Sequence, residues 1–318
     1  MIQASTMLYL YVETPLHAGT GSGLSSIDLP IQRERTTQYP MIQGSGIKGK
    51  LRAAAYIAKK QAGTWSDEEI NVVFGPDENG ADHAGALIAG DARILLFPVR
   101  SLDGVFAYTT SYEVLSRFQR DIARSSKQLN WNGPSQSENQ GEEQAAFVTT
   151  PSSVATGDTL VLEEFSFTSS PDPQVNTIAQ WLAEQVMPQT PEYRYWREKL
   201  KHSLVILPNN DFRDFVVHAT EVITRIRISR ETKTVDKGML WTEEHLPSDT
   251  LLYVPMYATP ARKMKNGSND KGAASMTASA ILDKARSLEN SLRGYIQLGG
   301  DETVGRGMVC MHWAQKEN

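Results

Sequence analysis

The first strong hydrophobic signal in the chain is Met7-Leu8-Tyr9-Leu10-Tyr11-Val12, an unbroken run rich in aromatic and branched side chains that predicts a strand. The following ETPLHAGTGSGLSS is rich in glycine and serine and predicts a loop, and Pro30 and Pro40 keep the chain irregular up to Gly44. From there Ile47, Leu51, Ala54, Ala55 and Ala58 recur at helical spacing among good helix formers. Residues 86–97 (ALIAGDARILLF) read as a strand pair or as one bent strand broken at Gly90-Asp91, and 112–123 as an amphipathic helix. Leu160 to Phe167 alternates as a strand, and Val175, Ile178, Ala179, Leu182 and Val186 mark a further helix. Glu221 to Ser229 alternates most cleanly: Val222, Thr224, Ile226 and Ile228 fall on one face, Ile223, Arg225 and Arg227 on the other. A strand resumes at Leu251 to Met256, so residues 230–250 are expected to project as an arm. Ile281, Leu282, Ala285, Leu288 and Leu292 predict a last helix, and YIQLGG…GMVCMHW two closing strands around a glycine loop. Residues 125–144 and 262–276 lack apolar periodicity and predict inserted loops, and no tandem repeat is visible. The mixture is that of an α+β protein.

Composition narrows the class. With 318 residues the chain makes one elaborated domain or two fused units. Its 32 basic and 37 acidic side chains give a net charge of −5, which excludes a globally basic coat but leaves room for a local basic groove. Hydrophobic residues make up 40% and charged ones 22%, which excludes wholesale disorder, and no apolar run reaches the roughly 20 residues of a spanning helix. MIQASTMLYLYVETP has no basic n-region, so it reads as a first strand and the expected location is the cytoplasm. Cys310 is the single cysteine, which excludes an internal disulfide and a cysteine-built zinc site.

Charge is unevenly spread. Arg33, Arg35, Lys48, Lys50, Arg52, Lys59 and Lys60 stand against Glu34 alone in one stretch, and Arg225, Arg227, Arg230, Lys233 and Lys237 outnumber Glu231 and Asp236 in another. Two basic patches in an acidic chain suggest a polyanion track, and each has the alternative reading of a solvated face. Gly44-Ser45-Gly46-Ile47-Lys48-Gly49-Lys50-Leu51 approaches two phosphate-binding motifs, but Leu51 stands where a nucleotide enzyme needs a hydroxyl, and the preceding YPMIQ is too short for the usual strand. A glycine turn into a helix still offers N–H groups to an anion. Lys48 and Arg52 share a face of that helix, with Lys59 continuing it. Met239, Leu240 and Trp241 give the arm an apolar element fit to stack on bases, or a plain core contact. Gly299 to Gly307 permits close backbone approach to a ligand or is an ordinary turn, with Arg306 suited to a phosphate. For chemistry, Asp28 lies in an irregular loop, His17 precedes it, and Glu243 with Glu244 closes the arm. Spacing alone leaves their roles undecided.

Taken in order, TPLHAGTG, SIDLPIQRE, PMIQGSGIKGKLR, IRISRETKTVDKGMLWTEEHLP and LGGDETVGRG resemble the RAMP superfamily backbone subunit of type III-B CRISPR effector complexes, the Cmr module. The resemblance spans nearly the whole chain, and the IDLPIQRE block with the closing glycine loop points to this subunit over the related Csm backbone protein. It implies a single domain over 1–318 with a modified ferredoxin-like, RNA-recognition-motif-like RAMP core, a β-hairpin thumb at 230–250 and inserted loops. The implied partners are guide crRNA, complementary target single-stranded RNA, further copies of the chain in a helical filament and other subunits of the complex, with no membrane. The implied activity is endoribonuclease cleavage of the target at regular intervals, beside nucleotides displaced by the thumb, with the adjacent ribose 2′-hydroxyl as nucleophile. Asp28 matches the catalytic aspartate and ligand of a divalent metal, Mg2+ or Mn2+, and His17, Glu243 and Glu244 would assist. RNA contacts would fall on Lys48, Lys50 and Arg52, on Gly305, Arg306 and Gly307, and on Met239, Leu240 and Trp241 as the thumb tip, to which the two basic patches add Arg33, Arg225, Arg227 and Lys233. The family commonly has GSSLKG where this chain has GSGIKG. The rival reading is a non-catalytic filament subunit that binds RNA while another subunit cuts.

Overall fold

The computed structural model describes residues 2–23, 26–76, 83–125, 129–131, 145–262 and 275–315. Among them the chain runs β1 (Ala4–Val12), β2 (Met41–Ile42), α1 (Gly44–Ala62), α2 (Asp67–Phe74), β3 (Leu87–Ala89), β4 (Ala92–Arg100), β5 (Phe106–Ser111) and α3 (Tyr112–Ile122). It continues with β6 (Ala145–Val148), β7 (Ala155–Thr156), β8 (Thr159–Leu162), β9 (Phe165–Pro171), α4 (Pro173–Gln185), α5 (Arg194–Ser203), β10 (Leu204–Leu207) and α6 (Asn209–His218). The last part holds β11 (Glu221–Ile228), β12 (Val235–His245), β13 (Leu251–Ala258), α7 (Ala278–Ser291), β14 (Tyr295–Gln297) and β15 (Met308–Trp313). Thirteen strands join one mixed sheet in the order β14-β15-β1-β13-β4-β5-β10-β6-β9-β8-β7, with β2 on β4 and β3 on β13, while β11 and β12 form a separate two-stranded sheet.

β1 is unbroken in its hydrophobicity because both its faces are covered. It lies between β13 and β15, antiparallel to each, and Met7 to Val12 are all buried. Alternation sends its two sets of side chains to opposite layers. Tyr9 meets Phe118 of α3, whose ring also packs on Tyr253 of β13, whereas Thr6 on the other face accepts a hydrogen bond from Arg286 of α7. α1 packs beside α7, burying the Ile47, Leu51, Ala54, Ala55 and Ala58 stripe read from the sequence.

Several expectations change on contact with the structure. Of the two readings of residues 86–97, the bent strand holds and the strand pair does not: β3 and β4 both lie on β13, and Gly90 breaks the path while its N–H still reaches Pro255. Leu160–Phe167 is two strands: Glu163, at φ 49°, turns β8 into β9, and the alternation of one strand happens to continue into the next. The arm is also larger than 230–250, since β11 is itself one of its strands: Glu221 pairs with His245 and Ile226 with Leu240. The projecting hairpin is therefore 221–245, and its tip is the Ser229–Thr234 turn. The expected loop at 125–144 lies mostly outside the described residues, but Trp131 within it is buried edge-on against Trp181, so that part belongs to the core. Residues 263–274 of the second expected loop lie outside the described residues. α2, α5, β10 and α6 had no counterpart in the hydrophobic reading, although the Ser66/Glu69 capping box of α2 is a start signal legible in the sequence. No helix among the described residues is long and apolar enough to cross a membrane.

Candidate functional site

The base of the hairpin gathers the chemistry. Successive residues of β12 point to opposite faces, so Trp241, Glu243 and His245 share one face while Thr242 and Glu244 share the other. The loop carrying Asp28 runs along the free edge of β12: Leu29 N–H donates to the Thr242 carbonyl and Glu244 N–H donates to the Leu29 carbonyl, both at 3.0 Å. Asp28 is exposed, and its Oδ2 accepts from the Thr242 N–H at 2.8 Å and from the Thr242 hydroxyl at 2.9 Å. The backbone bond first, then the hydroxyl, hold this carboxyl below the ordinary aspartate range. At neutral pH Asp28 is thus a fixed carboxylate that accepts hydrogen bonds and has no proton to give.

His17 grips the same strand. Its Nδ1 lies 2.7 Å from the Glu244 carbonyl, and only an N–H donates to a carbonyl, so the neutral ring keeps its proton there and leaves the lone pair on Nε2. The ring is seated against Gly19, where a Cβ would lie 2.5 Å from Nε2. Behind it the closing loop folds over: Gly300 N–H donates to the His17 carbonyl at 2.9 Å, and Gly299, at φ 77°, has that carbonyl where a Cβ would be, at 2.3 Å. These glycines provide close approach to the backbone of His17, in place of the ligand approach expected from sequence. Gly307 plays the same part against the Leu298 carbonyl, Gly305 is exposed, and Arg306 is half-buried.

Glu243 and Glu244 have different fates. Glu244 is buried and fully engaged: Oε1 accepts from Arg33 at 2.5 Å and from Thr220 at 2.9 Å, and Oε2 accepts from Ile31 N–H at 3.0 Å. Arg33 also donates to the carbonyls of Gln38 and Val216. The pair therefore props up the Asp28 loop from beneath, so that Glu244, expected to assist the reaction, and Arg33, expected on RNA, are here bonded to each other. Glu243 faces the other way. Its Oε1 accepts from Trp241 Nε1 and its Oε2 from Arg225 Nε, both at 2.8 Å, and Arg225 Nη2 continues to Asp301 Oδ2 at 3.1 Å. His245, fully buried, points Nε2 at these same two oxygens, 3.9 Å from Glu243 Oε2 and 3.5 Å from Asp301 Oδ2, yet neither ring nitrogen makes a hydrogen bond. Burial first, then the charges of His17 and Arg306, lower its pKa and keep it neutral. Its ring centroid is 5.4 Å from that of His17.

A metal ion needs several donors converging on a point. Among the described residues Glu243, His245 and Asp301 do so, with donor atoms within 4.8 Å of one another. A buried imidazole lacking any partner and two carboxylates form a donor set that fits a divalent cation. Asp28, expected as the ligand, is outside this group and its Oδ2 is already held by Thr242. Thr242, His245 and Asp301 had not been singled out in the sequence. The alternation of Trp241, Glu243 and His245 on one strand face was a usable signal for the second of them.

The basic track is more self-contained than its charge count implied. The Gly44 N–H at the start of α1 is taken by Asp91 Oδ1 at 2.8 Å, so the chain supplies its own anion where a phosphate was expected. Lys50 donates to Gln297 at 2.6 Å, Arg52 to the Gly75 carbonyl at 2.8 Å, and Lys59 pairs with Asp67. Lys48 is half-buried, and desolvation, reinforced by Arg52 and Arg262, lowers its pKa. On the hairpin Arg227 pairs with Asp236 at 3.3 Å and Lys233 is exposed at the tip. Met239, Leu240 and Trp241 lie in mid-strand, not at the tip, because the turn comes at 229–234. Of the three, Leu240 is exposed at 61%, opposite Ile226 and on the same strand face as Thr242. A separate cleft of about 580 Å3 is lined by Glu163, Glu164, Asp211, Asp214 and aromatic rings, an acidic lining that repels a nucleic-acid strand.

Comparison with known proteins bears on this geometry. Residues 9–310 match the model of the RAMP superfamily. A protein of Pyrococcus furiosus called CRISPR system Cmr endoribonuclease Cmr4 is 37% identical over 94% of this chain and 92% of its own length. One from Saccharolobus solfataricus, CRISPR system CMR subunit Cmr4, is 26% identical over 96% and 95%. The crystal structure of oligomeric Cmr4 from Pyrococcus furiosus superposes with a TM-score of 0.70 at 30% identity, covering 99% of this chain and 100% of that one.

Proposed function

This chain belongs to the RAMP superfamily, and on that premise we propose that it is the crRNA-binding backbone subunit of a type III-B CRISPR effector complex and the endoribonuclease that cuts the complementary target RNA. The sheet order supports a modified ferredoxin-like core. The succession β1-α1-β4-β13-α7-β15, with the strands lying side by side as β15-β1-β13-β4, is a split β-α-β arrangement into which the remaining elements are inserted. The hairpin 221–245 then corresponds to the thumb.

The observation that carries the catalytic reading is the convergence of His17 and the Asp28 loop on residues 242–244 of the thumb, with Asp28 ionised and open to solvent. A 2′-hydroxyl of the target attacks the adjacent phosphorus. The P–O2′ bond forms, the P–O5′ bond breaks, and the products are a 2′,3′-cyclic phosphate and a 5′-hydroxyl. Asp28 accepts a hydrogen bond from the attacking hydroxyl and orients it, while His17 Nε2, fixed as the basic nitrogen, takes its proton, and the departing 5′-oxygen takes a proton from solvent water. The exposed apolar face of Val222, Ile226 and Leu240 abuts this place and suits a base pushed out of its stack, which leaves the phosphodiester free to come into line. A divalent cation, when bound, would be held by Glu243, His245 and Asp301, on the face of β12 opposite Thr242 and Asp28, and would add positive charge to the thumb there. Arg225, Arg227, Lys233, Lys48 and Arg306 remain the proposed contacts to the sugar-phosphate backbone.

The test is Asp28→Asn in the assembled complex. Cleavage of complementary RNA should be lost while crRNA content and target affinity are kept. Undiminished cleavage would return the chain to the role of a binding subunit alone.

A further inference from the structure

Resting on the RNA-binding reading above, we propose that Glu243, His245 and Asp301 form a divalent-cation site whose place is held by the guanidinium of Arg225 until an RNA phosphate draws it away. Arg225 bridges carboxylates from two separate elements, using Nε on Glu243 Oε2 of the thumb and Nη2 on Asp301 Oδ2 of the closing loop. His245 is aimed at the same pair of oxygens and bonds to neither. A fully buried imidazole with two unpartnered nitrogens calls for an explanation, and a thumb-to-loop ion pair alone gives it no purpose. Metal–ligand bonds of about 2.0–2.2 Å place two donors on one ion at most about 4.4 Å apart, so a spread within 4.8 Å requires only small rotations.

Guanidinium and metal use the same two oxygens, so they exclude each other. With Arg225 in place, two carboxylates meet one positive charge. When it leaves, the two carboxylates lose the cation they share and only the charge of Arg306 is still felt at His245, which is a demand for a cation. The Arg225 side chain is 26% exposed on a thumb face with other basic residues, and its fork geometry matches a phosphate as well as it matches carboxylates. Arrival of the RNA backbone thus supplies the competing anion, and metal loading becomes conditional on RNA. The mixed nitrogen and oxygen donors favour Mn2+ over Mg2+.

The experiment measures Mn2+ binding to the purified full chain by electron paramagnetic resonance of the free ion, with RNA affinity followed in parallel by fluorescence polarisation. Without RNA the wild type should take up no stoichiometric Mn2+, Arg225→Gln should gain one ion per chain, and Arg225→Gln/His245→Phe should lose it again. With RNA bound, the wild type should hold one ion per chain more than His245→Phe. That comparison keeps the proposal open to refutation even if Arg225→Gln fails to fold. A folded Arg225→Gln protein without the extra ion, or a wild type already loaded in the absence of RNA, overturns the proposal. Loss of RNA binding by the wild type would instead sink the functional reading on which it rests.

Discussion

At the scale of single residues, the site depends on what each charge is bonded to. Thr242 is the partner of Asp28 through both backbone and hydroxyl, and these bonds depress the aspartate pKa. Thr242→Val removes the hydroxyl contribution and keeps the N–H, so the Asp28 pKa moves up towards its ordinary value. Because the ionised form is the working one and both proteins keep it at neutral pH, cleavage there should be little changed, while the Asp28 carboxyl followed by NMR through an acid titration should protonate at higher pH in the variant than in the wild type. An unaltered Asp28 midpoint would show that the Thr242 hydroxyl does not hold the carboxylate. Arg33 and Glu244 illustrate the opposite situation, a pair whose charges are spent internally. Glu244 is 3% exposed, so Arg33→Ala leaves a buried carboxylate with hydrogen bonds but no counter-ion. The expected loss is about 3–5 kcal/mol in urea unfolding. Glu244→Gln should cost less, since the abandoned Arg33, at 15% exposure, is nearer to water.

At the scale of elements, the glycine loop and the thumb show what a linear reading captures. The alternation of β11 and the glycines of 299–307 were both legible, and so was their proximity to function. What the glycines approach was not, because the His17 carbonyl comes from a segment nearly 300 residues earlier and only the sheet order brings β15 beside β1. Arg33 shows the same thing: the sequence displays a charge but not the Glu244 that answers it. The thumb was underestimated in length because its first strand looked like part of the body. Gly299→Ala should be poorly tolerated, since it combines a positive φ of 77° with a Cβ 2.3 Å from the His17 carbonyl. Strain of roughly 1–3 kcal/mol should appear as a lower melting temperature, together with reduced cleavage as His17 shifts. Gly305→Ala shares the positive φ but meets nothing within 4 Å, so it should lower the melting temperature less and leave cleavage nearly intact. Equal effects of the two would mean that backbone strain alone, and not the approach to His17, explains the loop.

At the scale of the whole molecule, a chain of net charge −5 is asked to follow an RNA backbone, and the distribution of its cations decides how strongly salt should matter. The first basic stretch carries Arg33, Arg35, Lys48, Lys50, Arg52, Lys59 and Lys60. If all seven neutralised phosphates, the slope of log affinity against log salt would be roughly −5, at about −0.7 per phosphate on a single strand. Four of them are instead committed within the fold: Arg33 to Glu244, Lys50 to Gln297, Arg52 to the Gly75 carbonyl and Lys59 to Asp67. Residues held this way were invisible as such to a count of charges, and they move the expectation from a steep electrostatic coat to a few well-placed contacts. Affinity of the isolated chain for single-stranded RNA, measured by fluorescence polarisation across a salt series, should therefore fall with a slope well short of −5. The thumb adds Lys233 at its tip, while Arg225 and Arg227 only exchange Glu243, Asp301 and Asp236 for phosphate and so release fewer counterions than unpaired cations would. A slope at or beyond −5 would mean that RNA pulls these internal pairs apart wholesale, and a flat response would mean that the strand is held without its phosphates.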